Sequence, residues 1–210
     1  KNIDIVLHLI YGLIKMAKIE LWFPTIIYSE EDLFSNSTNE RWANSLFEIE
    51  KTVKSGGDDW EGKTYTTHTT YELASDNTFN SLIETITQHV NGLAAQYGST
   101  AKYKVDGSWA NIARQGNYQE YHTHDGSVFS AVYYVKVPEG SGNIIFEDPR
   151  MPDMLPVKNI PERNSLSFNK IGYTPAEGTL LIFRSSLRHC VQEGTNVDPR
   201  ISISMNFGYE

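Results

Sequence analysis

Residues 117–135 read NYQEYHTHDGSVFSAVYYV, and the reading of this stretch decides the fold. His122 and His124 sit two apart, and in an extended strand residues i and i+2 point to the same face. Both imidazoles then project together. The run Ser130–Val137 (SAVYYVKV) is rich in β-branched and aromatic residues and predicts a strand. An imidazole pair on a sheet suits a transition metal, but two ligands do not close a site. His189, within Ser185–Gln192 (SSLRHCVQ), is the candidate third ligand. Beyond it, Arg200–Asn206 (RISISMN) places a guanidinium at Arg200 and a hydroxyl at Ser202 on one face of a later strand.

The rest of the chain sets bounds on this nucleus. With 210 residues it is long enough for one domain with a full core. Its net charge of −8, with basic residues scattered, argues against a nucleic-acid-binding surface. The single cysteine, Cys190, excludes an intrachain disulfide framework and fits a reducing, cytoplasmic compartment. Residues 3–14 (IDIVLHLIYGLI) are strongly apolar, yet too short for a bilayer span of about 20 residues, and lack a signal cleavage site. No membrane segment is therefore expected. Residues 1–15 read as an upstream extension, and residues 16–210 as the domain.

Taken in order, Ile19–Tyr28 predicts an edge or bulged strand because of Pro24. Ser37–Glu40 has the form of a capping box, followed at helical spacing by Trp42, Leu46, Ile49 and Val53, with Gly56-Gly57 as the stop. Tyr65–Glu72 (YTTHTTYE) reads as a strand in which His68 is a candidate ligand, with a structural role the preferred reading. A second helix is expected over about 78–97, with an apolar stripe from Phe79 to Ala94 and Gly98 as its terminator; His89 lies off the stripe and is expected to be solvated. From residue 101 the texture becomes all-β. A strand over 102–114 bends at Asp106-Gly107, and further strands are expected at 130–137, 143–147, near 165–168, at 179–183, 189–192 and 201–207. Short strands separated by turn residues predict a jelly-roll core over about 101–210, buttressed by two helices within about 16–100.

The anion site follows from the same parity. A guanidinium fork binds a carboxylate bidentately and a neighbouring hydroxyl adds a hydrogen bond. The eleven-residue separation of His189 and Arg200 predicts neighbouring strands. A metal with open positions and a carboxylate clamp in one barrel describe a site for a chelating dicarboxylate. Asp125 follows His124 directly, and a turn at Asp125-Gly126 could bring it in as the alternative ligand. The proline-rich segment 148–161 predicts a substrate-facing loop, and Cys190 is expected on the face opposite His189.

The pattern Tyr118-x-x-Tyr121-His122-x-His124, a Tyr-Tyr-Val strand, distal His189 and Arg200-x-Ser202 resembles the 2-oxoglutarate- and Fe(II)-dependent oxygenases. Within them it is similar to the prolyl-4-hydroxylase-like branch and to a bacterial and phage group with His-x-His, Ser-Gly-Val-Tyr-Tyr-Val and Asp-Pro-Arg. That group is mirrored here by Ser130–Val135 and Asp148–Arg150, with Trp109-x-Asn111 and Gly116 ahead of the histidines; the resemblance covers residues 101–207. It implies a double-stranded β-helix (jelly roll, cupin-like) that binds Fe(II) through His122, His124 and His189. It also implies 2-oxoglutarate as co-substrate, its distal carboxylate on Arg200 and Ser202, with Tyr118, Tyr121 or Tyr133 hydrogen-bonding it from within the barrel. O2 and an unidentified peptide or small molecule would be the other reactants, and hydroxylation with release of succinate and CO2 the reaction. The departure is His124, where most of the superfamily has an aspartate, so that no ligand compensates the metal charge. A three-histidine cupin-type metalloenzyme without 2-oxoglutarate and a non-catalytic jelly-roll module are the alternatives. Oligomeric state, a homodimer included, is left open by the sequence.

Overall fold

The computed structural model describes residues 20–57, 60–150 and 157–210; residues 1–15, read above as an extension, lie outside them. Among the described residues, ten strands form two antiparallel sheets. The larger contains β1 (Ile27–Glu30), β2 (Tyr65–Thr66), β3 (Tyr103–Ala113), β5 (Phe129–Lys136), β8 (Leu180–Arg184) and β10 (Arg200–Tyr209), in the order β1-β8-β5-β10-β3-β2. The smaller contains β4 (Gln119–His122), β6 (Ile144–Glu147), β7 (Lys170–Tyr173) and β9 (His189–Val191), in the order β4-β9-β6-β7. This is the expected jelly roll. The segment before residue 101 also supplies the two edge strands of the larger sheet, β1 and β2, beside its helices.

Two helices cover the outer face of the larger sheet. Helix α1 (Asn36–Thr52) buries Trp42, Ala43 and Leu46. Helix α2 (Asn80–Gln96) buries Leu82, Ile86, Val90, Leu93 and Ala94. They pack on Ala110 and Ile112 of β3, Phe129, Ala131, Tyr133 and Val135 of β5, Leu180 and Ile182 of β8, and Ile201, Ile203, Met205 and Phe207 of β10. Each fully buried Leu, Ile or Phe contributes roughly 1.5–3 kcal/mol. A second, smaller cluster (Val132, Tyr134, Ile144, Phe146, Leu181, Phe183 and Leu187) fills one end of the space between the sheets. Because β5 is buried on both faces, its sequence reads as a continuous apolar run.

Several boundaries differ from expectation for local reasons. Helix α1 begins one turn-start earlier: Ser35 is its N-cap, its hydroxyl accepting from the Thr38 amide at 3.3 Å, so Ser37 lies inside the first turn. The strand expected over 19–28 is confined to 27–30; Pro24 carries no amide hydrogen for a ladder, and Leu21, Trp22 and Phe23 are exposed. Tyr65–Glu72 pairs only at Tyr65 and Thr66. Its threonines then form their own turn, the Thr67 carbonyl accepting from the Thr70 amide and hydroxyl and from the Tyr71 amide. Near 165–168 Asn164 and Ser167 close a turn instead of a strand, with the Leu166 amide on Asn164 Oδ1 and the Asn164 amide on Ser167 Oγ, and pairing resumes at Lys170. The bend at Asp106-Gly107 is a bulge: Asn206 pairs Gly107 and Phe207 pairs Val105. Gly98 takes φ +78° after α2, as a helix terminator requires. His89 is half-buried, its Nδ1 2.8 Å from the Tyr28 hydroxyl, and not solvated as expected.

Candidate metal and co-substrate site

Strand β4 and strand β9 pair so that His122 stands directly opposite His189, with ring centroids 4.3 Å apart. Four residues of β4, from Gln119 to His122, match three of β9, from Val191 to His189. This irregularity turns both Gln119 and His122 toward the space between the sheets. The strand stops at His122, and His124 is held instead by its amide, which donates to the Ser185 carbonyl at 2.9 Å. Strand parity alone therefore does not align the pair; a bulge and a loop anchor do. The three imidazoles converge all the same, with one ring nitrogen of each within 4.8 Å of the others. Asp125 stands outside that cluster, exposed, and accepts from the Thr123 hydroxyl at 3.1 Å.

The donor set fits a metal. His122 Nδ1 lies 2.7 Å from the Glu120 carbonyl and His189 Nδ1 lies 2.8 Å from the Leu187 carbonyl. A carbonyl can only accept, so each Nδ1 carries the hydrogen and each Nε2 is left with a free lone pair, the tautomer a metal requires. Burial holds the rings neutral. It pushes His189 down to about 3 and His124 down to about 4, with neighbouring His122 acting in the same direction on both, and it lowers His122 as well.

Arg200 lies on the other sheet. The expectation that it would neighbour the His189 strand is corrected: β9 and β10 belong to opposite sheets, and the two residues line one cavity of about 280 Å³ from its two sides. Arg200 is 3 % exposed. Its Nη1 donates to the Gly142 carbonyl at 3.0 Å, and its Nε has no partner. Among the described residues no carboxylate pairs with it. A buried guanidinium with an orphan donor is costly unless an anion completes it. That vacancy of partners, next to Ser202 on the same face, fits the distal carboxylate of a dicarboxylate ligand. Burial lowers the Arg200 pKa from its ordinary value and raises that of Tyr134 to about 12; the guanidinium centre lies 5.9 Å from the Tyr134 ring.

The tyrosines are arranged differently from expectation. Tyr133 does not face the barrel interior: its hydroxyl donates to Asn39 Oδ1 on α1 at 2.7 Å, and its ring packs edge-on to Phe34 and Trp42. The odd-numbered residues of β5 belong to the helix face, so the cavity receives Val132 and Tyr134. Tyr118 and Tyr121 are also outside the cavity lining. The bulge that brings in Gln119 and His122 turns these neighbours away, and the Tyr121 ring instead meets Lys170 and Arg188 on the outer face of the smaller sheet. Cys190, half-buried opposite Ile145, is on the face away from the His189 ring as expected.

Sequence reasoning missed part of the lining. Trp60 stands edge-on to His122 with centroids 4.9 Å apart, and Trp109 lies 5.6 Å from His124. His68, read as structural, packs against Trp109 and lines the same cavity. Gln119 Nε2 donates to Asn111 Oδ1, and Asn111 Nδ2 donates to Ser204 Oγ, which joins the two sheets across the cavity floor. The signal for this polar row was present in β10, where Arg200, Ser202, Ser204 and Asn206 alternate with apolar residues. The loop over 148–161 is described only in part; the described Arg150 there forms an exposed pair with Asp148.

Comparison with known proteins agrees with this geometry. Residues 107–206 match the family described as "Putative 2OG-Fe(II) oxygenase". No curated protein matches the chain. Among solved structures, a prolyl-4-hydroxylase of Pseudomonas putida is 10 % identical with a TM-score of 0.61, covering 89 % of this chain and 94 % of its own. The viral collagen prolyl hydroxylase of Paramecium bursaria Chlorella virus-1, in complex with 2-oxoglutarate, is 12 % identical with a TM-score of 0.58, covering 86 % and 94 %. HygX of Streptomyces hygroscopicus, with nickel, 2-oxoglutarate and hygromycin B bound, is 9 % identical with a TM-score of 0.59, covering 88 % and 83 %. These likenesses establish the fold, while the family match falls on the residues that carry the histidines and the arginine. The part of the chain that carries His122, His124, His189, Arg200 and Ser202, residues 107–206, is thus the part that matches the 2-oxoglutarate- and Fe(II)-dependent oxygenases, a family named for these two cofactors.

Proposed function

We propose that His122, His124 and His189 hold the iron through Nε2 of the first and last, and that Arg200 with Ser202 receives the distal carboxylate of 2-oxoglutarate. The observation that carries this assignment is the pairing, in one cavity, of three convergent neutral imidazoles with a buried guanidinium that has no anionic partner among the described residues. When bound, the metal and 2-oxoglutarate supply the oxidising chemistry: one O2 and one 2-oxoglutarate give succinate and CO2, and the second oxygen atom becomes a hydroxyl on a C–H position of the primary substrate. The protein's own contribution is geometric. The Glu120 and Leu187 carbonyls orient two imidazoles, the Gly142 carbonyl orients the guanidinium, and the two packed sheets keep bulk water from the charged end of the cavity. His124 in place of a carboxylate makes the ligand set neutral, so the ligands themselves offer Arg200 no counter-charge. No helix among the described residues is long and apolar enough to cross a membrane; with one free cysteine, a reducing cytoplasmic setting is the reading we favour.

The test is succinate formation by protein supplied with Fe(II), O2 and 2-oxoglutarate. Wild-type protein is expected to form succinate, slowly without a primary substrate, and Arg200→Ala to need far higher 2-oxoglutarate. Oxygen consumption that is indifferent to both 2-oxoglutarate and Arg200→Ala would favour the three-histidine metalloenzyme without a co-substrate.

A further inference from the structure

The segment 60–64 reaches the histidine cluster from outside the two principal sheets, and its attachment converges on Glu120. The Glu120 carboxylate oxygen Oε1 accepts from the Glu61 amide at 2.6 Å and from the Gly62 amide at 3.1 Å. Its other oxygen, Oε2, is buried without a partner among the described residues. The backbone of the same residue accepts from His122 Nδ1. Around this grip the chains lie close: the Tyr118 amide donates to the Gly62 carbonyl at 3.2 Å, and the Thr64 hydroxyl donates to the Tyr118 carbonyl at 3.0 Å. Gly62 is required by that approach, since a Cβ there would stand 2.0 Å from the Tyr118 carbonyl oxygen. What this attachment delivers is Trp60, which stands against His122 and forms part of the cavity lining.

We propose that Glu120 is a positioning residue that holds Trp60 against His122, so that the indole bounds the space in which the primary substrate meets the metal. The proposal rests on the reading of the three histidines as metal ligands. A carboxylate that leaves one oxygen unpaired in a buried position is poorly explained as a stabilising surface contact, because burying an unsatisfied charged group is costly. It is well explained by the demand of two adjacent amide donors, those of Glu61 and Gly62, for one acceptor at one place. A single residue thus sets both the tautomer of His122, through its carbonyl, and the neighbouring wall, through its side chain.

The experiment is quenching of tryptophan fluorescence as Ni(II) is titrated into the full chain. Trp60→Phe defines the share of quenching that belongs to Trp60. Glu120→Ala is expected to lose that share while still binding Ni(II), and Glu120→Gln, which keeps an acceptor oxygen, to retain it. Gly62→Ala attacks the same attachment from the opposite partner and is expected to behave as Glu120→Ala; it serves where that variant does not fold, as judged by circular dichroism. Full quenching in the folded Glu120→Ala or Gly62→Ala protein overturns the proposal. Failure of the wild-type protein to bind Ni(II) removes the metal reading, and the proposal with it, and is told apart by the absence of any quenching.

Discussion

The two faces of the larger sheet are built from the same strands and carry opposite chemistry. Strand β10 sends Ile201, Ile203, Met205 and Phe207 to the helices, and Arg200, Ser202, Ser204 and Asn206 to the cavity. Strand β5 sends Tyr133 to α1 and Tyr134 to the cavity. The helix face is a dry, close-packed layer whose few polar groups serve the packing: the Tyr133 hydroxyl donates to Asn39 Oδ1, and Asn39 Nδ2 stays buried without a partner among the described residues. The cavity face keeps a buried guanidinium with an unused donor, across from the three neutral imidazoles on the side of the smaller sheet. An alternating strand usually presents its polar side to water. Here that side faces the interior, and the difference between the faces separates what stabilises the molecule from what it binds.

Substitutions that strike one face and spare the other test this division. The largest expected effect is on the dry side: Ile203→Ala should cost about 2–5 kcal/mol of unfolding free energy, read by denaturant titration, because the site is fully buried between sheet and helices. On the cavity side, His189→Ala should weaken metal binding by more than about 100-fold, since even residues that only orient ligands are worth about 10–100-fold; metal titration by calorimetry would show it. Arg200→Met should raise the 2-oxoglutarate concentration for half-maximal succinate formation by about 10–100-fold, from the loss of charge-assisted hydrogen bonds of about 1.5–3 kcal/mol. Without 2-oxoglutarate the same variant should melt at or above the wild-type temperature, because a buried charge without a counter-ion has been removed. A lower melting temperature would mean that Arg200 serves the fold.

Smaller still is Tyr133→Phe. It should cost about 1 kcal/mol of stability through the lost Asn39 bond, and leave 2-oxoglutarate affinity unchanged. The mildest probe is pH. His124 and His189 titrate near 4 and 3 in the folded protein, below their ordinary value of 6.5, so the unfolded chain binds more protons between these limits. Metal-free protein should therefore lose stability as pH falls from about 6.5 toward 4, and metal should protect it through the upper part of that window. Melting curves with and without Ni(II) would check both statements.

Much of the architecture was legible because it rests on short-range pattern. The stripe from Leu82 to Ala94, the β-branched run of β5 and the bulge at Asp106-Gly107 are each dictated by periodicity or backbone preference within a few residues. Errors arose where side chains competed with the backbone for hydrogen bonds. The Thr67–Tyr71 and Asn164–Phe168 turns took segments whose composition suits a strand. Among site residues, the histidine triad and Arg200-x-Ser202 were visible from type and spacing. Trp60 and Gln119 were not, because nothing in their neighbourhoods marks which face they take.

The order of residues alone determined which groups are available to the site: three imidazoles suited to a metal, one guanidinium and hydroxyl on a common face, and enough alternating strands to enclose them. Tertiary structure decided where they meet. The extra residue between Gln119 and His122 chose Gln119 over Tyr118 and Tyr121, and the docking of α1 on β5 claimed Tyr133 for the helix face and left Tyr134 to the cavity. The folding of β9 and β10 into opposite sheets set His189 across the cavity from Arg200. Composition and spacing act along the chain, whereas a bulge or the packing of one layer on another changes the facing of every residue beside it.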